Sequence, residues 1–305
     1  MSVVAAAVQL SGVFVAPVLP GAVQVLKARA QGRRGPSALQ PHRTLRRLWG
    51  KSAVDPVGAG PVYRVVPPLV AACLLAALTL VPVGGRSGGL GLGHDAFVLV
   101  GLLALARFAL TASAWDTGNG FALMGAARDV MIAVFAEALL VLALLLAAQP
   151  AHSTDMVAMS VAAAGGDIWR EPAHWCGLLA FALVVVAETG RQPVDNPDTH
   201  LELTMIHEGP LLEYAGRDLA YLQWAAAARH WVVLVLAAEL FLPHWGPFAL
   251  RLVLLAAGVA LLCVALAALE TAQAKLRILR VPGLLALGSV VALAGAAAWL
   301  AGVGT

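Results

Sequence analysis

The 305-residue chain is 60% hydrophobic and only 12% charged, about half the charged share of a soluble domain. That excludes an ordinary water-soluble fold and points to a single integral membrane domain over 1–305. The net charge of +3 comes from basic residues beside apolar runs and not from a basic groove, so it is read as topology and makes no case for nucleic acid.

Spanning helices need about 20 apolar residues. Eight such runs are predicted, near 3–26, 62–82, 95–114, 128–148, 173–189, 219–242, 247–270 and 282–302. The expected fold class is all-α: a polytopic integral membrane protein with about eight transmembrane helices. The first run lacks a charged n-region and a cleavage site, so it is read as a retained span. Segments 27–64, 107–128, 191–229 and 275–280 hold 17 Lys/Arg, against three (Arg86, Arg170, Arg251) in the alternate segments. Positive charge stays inside, which predicts both termini outside a bacterial or archaeal inner membrane. Trp115, Trp175, Trp231, Trp245 and Trp299 are expected in an interfacial belt.

The basic loop 27–61 carries Arg34-Gly35-Pro36-Ser-Ala-Leu-Gln40-Pro41. The Gly-rich stretch 84–93 lacks a phosphate-loop pattern and reads as a connection. Cys73, Cys176 and Cys263 stand singly in apolar runs, with no Cys/His cluster, so no metal or iron–sulfur site is expected in this chain.

Glu137 lies at mid-depth of the fourth run. Facing lipid it would cost roughly 2.5–3.5 kcal/mol or more, so it should face helices or water, either as a proton carrier or as a protonated interhelical hydrogen-bond donor. Glu239 is expected to be solvated near the outer end of the sixth run. Glu188 and Glu270 end spans where helix dipoles disfavour negative charge, so both need partners or shifted pKa values; Arg191 is the candidate partner for Glu188, and Lys275 for Glu270.

An acidic loop, 188–218, follows the fifth run and holds Glu188, Asp195, Asp198, Glu202, Glu208, Glu213 and Asp218. Gly190 suits a helix end, and Pro193 and Pro197 keep the chain extended. Thr199–Glu202 fits a capping box, Gly209-Pro210 a stop, and Asp218 an N-cap. Interleaved apolar residues such as Leu201, Met205, Ile206 and Leu211 predict a loop folded back on the bundle, its carboxylates titrating as a coupled set. His200 and His207 can join them near neutral pH. An ordinary solvated loop is the alternative.

The run ETGRQPVDNPDTHLELTMIHE, followed by LEYAGRDLA, resembles the signature loop of the membrane subunits of energy-converting nickel–iron (NiFe) hydrogenases, of the formate hydrogenlyase and hydrogenase-4 type. It is more distantly similar to subunit 1 of complex I, the NADH-quinone oxidoreductase. The likeness runs from Arg34 to Trp231, the Arg34–Pro41 segment being similar to the family's RxGPxxLQP motif; Thr44 stands where an acid is usual. The resemblance implies an oxidoreductase subunit without its own redox centre. Its partners would be a large NiFe subunit, a small subunit with iron–sulfur clusters, and antiporter-like membrane subunits. It implies docking of the redox arm through Arg34, Gly35, Pro36, Gln40, Pro41, Arg191, Pro193, Asp195, Asp198, His200, His207 and Arg217. It also implies a proton relay through Glu137, Glu188, Glu202, Glu208 and Glu213. A quinone-bordering complex I subunit, an autonomous transporter and a structural anchor are the competing readings.

Overall fold

A computed structural model describes residues 3–89, 93–196 and 206–302. Eleven α-helices are found among them: α1 Val3–Val15, α2 Val18–Ala30, α3 Gln40–Trp49, α4 Pro61–Leu80, α5 Ala96–Thr117, α6 Gly120–Ala148, α7 Met156–Ala163, α8 Pro172–Glu188, α9 Gly216–Phe241, α10 Phe248–Ala272 and α11 Val281–Leu300. Six of them are long and apolar enough to cross a membrane: α4, α5, α6, α9, α10 and α11. The first predicted span is a pair, α1 and α2, bent by 56°, and counts as a seventh if taken as one crossing. Pro17 sits at the break, where its ring and missing N–H interrupt the helix. The fifth predicted span is the 17-residue α8, shorter than a full crossing.

Helix ends follow local chemistry. Asp95 accepts from the Phe97 N–H at the start of α5, and Asn119 from the Phe121 N–H at the start of α6. The Asn119 cap starts α6 eight residues before the predicted edge at 128. Pro172 opens α8. Asp218 is not the cap of α9: Ala215 holds that position and Asp218 lies within the first turn.

α9 is the central helix, with 83% of its apolar window buried, against 22% for α11 at the periphery. α9 packs on α4, α8 and α10, while α6 joins α5, α8 and α11. Trp231 leaves the predicted belt. It is buried on α9 and its ring fills the space beside Gly12. Trp115, Trp175 and Trp245 are exposed. Cys73 and Cys263 pack in the core and Cys176 is half-buried.

Glu239 is not solvated. It is 1% exposed at the end of α9 remote from the basic loop. The turn 83–86 brings Gly84 and Gly85, both with left-handed backbone (φ +61° and +70°), so that their successive N–H groups converge on one anion. Gly84 N–H donates to Glu239 Oε1, and Gly85 N–H (3.2 Å) and Ser160 Oγ (2.5 Å) donate to Oε2. His244 Nε2 lies 4.0 Å from the same carboxylate. One side chain thus ties α9 to α7 and to the turn after α4.

A buried ion network at the basic end of the bundle

At the end that carries loop 27–61, the bundle buries a chain of charges. Arg107 on α5 is 6% exposed. Its guanidinium donates to Glu137 Oε1 on α6 at 2.8 Å and to Glu188 Oε1 at the end of α8 at 2.7 Å. Its Nε lies 3.6 Å from Asp129 Oδ2 on α6. The other oxygen of Glu188 accepts from Arg229 on α9 at 3.2 Å. Glu188 therefore joins four helices through two arginines.

The network continues into the loop. Gly190 turns the chain after α8 with φ +60°, and a side chain there would run into the His207 ring. His207 Nε2 stands 3.6 Å from Asp129, and Nδ1 3.2 Å from Asp195. Asp195 also accepts from Lys275 at 2.6 Å. A second group lies beside it: Glu270 at the end of α10 accepts from Arg191 at 3.1 Å and pairs with Lys27 of α2 at 3.2 Å.

Two expected pairs are corrected. Arg191 serves Glu270, not Glu188, because the turn at Gly190 swings it away from α8 toward α10. Lys275 serves Asp195, not Glu270, because Leu276 N–H donates to Pro193 O (2.9 Å) and lays this segment along the loop. Arg191, Pro193 and Asp195, expected on a docking surface, are buried and shape the loop instead. Arg34, Gly35, Pro36 and Arg217 are exposed, and Gln40 and Pro41 half-buried at the start of α3. Glu208 and Glu213 are half-buried, with Glu213 accepting from the Asn119 amide. Asp198, His200 and Glu202, with the capping box at 199–202, lie outside the described residues. Of the described loop acids, Glu188 and Asp195 each meet a cation, and Glu213 an amide. Arg107, Asp129 and Arg229 are site residues that the sequence reading missed.

Around Arg107 the network sets three fixed cations (Arg107, Arg229, Lys275) against four carboxylates (Asp129, Glu137, Glu188, Asp195). His207, with a carboxylate at each ring nitrogen, balances it when protonated. Burial works against the imidazolium, but the Asp195 hydrogen bond and the charges of Asp129 and Asp195 outweigh it and hold His207 above its ordinary value. Burial also raises Asp195, yet the bond and charge of His207 and those of Lys275 win and hold it well below the carboxylate range.

These shifts fix the sign of a pH effect. The raised His207 stabilises the docked loop fully below about pH 6.5, and this is lost as pH rises through its folded value. The depressed Asp195 contributes above about pH 4, and this is lost only as pH falls through its folded value. Limited proteolysis of the loop is therefore expected to accelerate from neutral to alkaline pH, relative to a His207→Gln protein whose rate lacks that rise. Parallel pH profiles for the two proteins would contradict the assignment.

Residues 2–302 match the family described as NADH dehydrogenase. The chain is 34% identical over 256 residues to formate hydrogenlyase subunit 4 of Escherichia coli K12, covering 81% of this chain and 79% of that one. It is 33% identical over 228 residues to hydrogenase-4 component C of the same organism, covering 74% and 71%. The H subunit of NADH-quinone oxidoreductase from Chlorobium luteolum is 28% identical over 235 residues, covering 72% and 62%. A chain of the membrane-bound sulfane sulfur reductase, an archaeal respiratory membrane complex, shares the fold with a TM-score of 0.83 at 21% identity, covering 96% and 97%.

Proposed function

The chain belongs to the NADH dehydrogenase family of membrane subunits, and on that premise we propose that it anchors and couples a membrane-bound NiFe hydrogenase complex of the formate hydrogenlyase type. The observation that carries the proposal is Glu188, its side chain 1% exposed and held between Arg107 and Arg229 where α8 enters the loop. The exposed basic segment around Arg34–Pro36 docks the redox arm, which holds the iron–sulfur clusters and the NiFe centre. Both termini lie outside the cell membrane and the ion network at its inner rim.

Electron movement in the arm changes the field at that rim. The network is poorly screened by salt because it is buried, and its balance turns on one proton at His207. The response passes through Glu188 to Glu137, which is partly open at 29% side-chain exposure and faces the ion-translocating neighbour. The higher identity to the two hydrogenase subunits favours this branch over a quinone-bordering subunit of complex I. Purification of the native complex tests it. The expected result is co-purification with a nickel-containing large subunit and an iron–sulfur subunit, with no quinone-dependent activity. Quinone reduction without nickel would move the chain to the complex I branch, and ion transport by the chain alone in liposomes would make it a transporter.

A further inference from the structure

The short helix α3 carries charge that no described residue answers. Residues 27–51 hold eight Lys/Arg and no Asp or Glu. Arg43, Arg46 and Arg47 are exposed on α3, away from Leu45, which is buried against the bundle where α3 packs on α2 and α9. Their side chains have no ion pair or hydrogen bond among the described residues. Three and four positions apart on one helix, they repel each other. The helix dipole favours Arg46 and Arg47 in the last turn but opposes Arg43 near the start. Two close approaches fix the helix in place. A side chain on Gly21 of α2 would run into Ala38 O, and one on Gly216 of α9 into Ser52 O. The backbone on both sides of α3 is thus pressed against the bundle.

Apolar side chains flank the arginines. Leu39 is 53% and Trp49 45% exposed, and Val54 is exposed as well. Trp49 stands edge-on to Tyr221 of α9, with ring centroids 4.9 Å apart. Trp and Tyr gather at the headgroup level of membrane proteins. We propose that α3 is a binding surface for anionic phospholipid at the basic end of the bundle, with Arg43, Arg46 and Arg47 holding the headgroup phosphates and Leu39 and Trp49 entering the acyl boundary. A guanidinium meets a phosphate with two parallel N–H donors, and a basic helix with apolar flanks is the form that lies in a membrane interface. An acidic protein surface would answer the charge but not the apolar flanks; a lipid answers both. The surface is distinct from Arg34–Pro36, where the redox arm docks in the function proposed above.

The test needs no hydrogen evolution and so stands apart from the coupling function. The complex as purified from the membrane is reconstituted in phosphatidylcholine bilayers that contain a photoactivatable phosphatidylglycerol, or a photoactivatable phosphatidylcholine with the same acyl chains. Crosslinked segments are read by mass spectrometry. In the natural chain, segment 40–51 is expected to be labelled at least about tenfold more by phosphatidylglycerol. That excess is expected to vanish at about 1 M salt, because exposed charges are screened. It is also expected to vanish in a chain combining Arg43→Gln, Arg46→Gln and Arg47→Gln, and to persist in part when the three are changed to lysine, which keeps the charge but not the fork. Equal labelling by the two lipids in the natural chain overturns the proposal, and so does an excess that survives high salt; neither result depends on a variant that folds. A preference kept by the glutamine variant overturns it too. Loss of a partner subunit from that variant, with lipid labelling unchanged, makes α3 a protein-docking surface instead.

Discussion

Replacing Arg107 with methionine is expected to be the most damaging single change in the chain. Arg107 contacts Asp129, Glu137 and Glu188, and is itself 6% exposed. Methionine fills much of the volume but leaves Glu188 bonded to Arg229 alone and Glu137 without its ion pair among the described residues. Removing one partner of a buried ion pair costs about 3–5 kcal/mol, because the remaining charge stays desolvated. The purified complex is therefore expected to lose this chain on mild heating well before the natural complex does, and any assembled fraction to evolve hydrogen without moving ions. Arg107→Lys is expected to recover stability only in part, since an ammonium cannot form the fork that meets Glu137 and Glu188 together. A heating profile unchanged by Arg107→Met would show that the carboxylates find other partners.

Replacing Glu239 with alanine is the second large effect, and its character differs. The change strips the acceptor from the Gly84 N–H, Gly85 N–H and Ser160 hydroxyl. Each buried donor left alone costs about 1–3 kcal/mol. The turn 83–86 and α7 are expected to loosen, seen as faster amide exchange at Gly84 and Gly85 and a lower unfolding temperature. Ion movement per hydrogen should survive in complexes that assemble. Between His230 and Glu239 the helix reads Trp231–Ala238 without an ionisable side chain, about 13 Å of buried helix, so the two ends do not exchange protons through α9. A coupling defect in Glu239→Gln with normal assembly would contradict that separation.

The fold was largely legible in the sequence because lipid allows few solutions: each of the eight apolar runs is helical, including the short α8 and the run broken at Pro17. The site was legible in part. Loop 188–218 and Glu137 stood out as ionisable groups in apolar surroundings. Arg107 did not, because it was counted with the basic flanks although it lies inside the 95–114 run, and Asp129, one residue inside the 128–148 run, was not singled out. The caps at Gly118 and Asn119 carry α5 to 117 and start α6 at 120, so both residues sit well inside their helices, where they pair. An arginine in such a run is a functional signal by default, and that was the available clue. The pairs Arg191–Glu188 and Lys275–Glu270 failed because proximity in sequence stood in for proximity in space, and one turn at Gly190 redirects the chain.

The most direct test is the number of ions moved per hydrogen evolved in sealed vesicles carrying the Glu188→Gln complex. This substitution keeps the shape but removes the charge shared by Arg107 and Arg229. The expected result is hydrogen evolution that an uncoupler no longer stimulates, with ion movement close to background. A ratio equal to that of the natural complex would mean that the buried network only holds helices together.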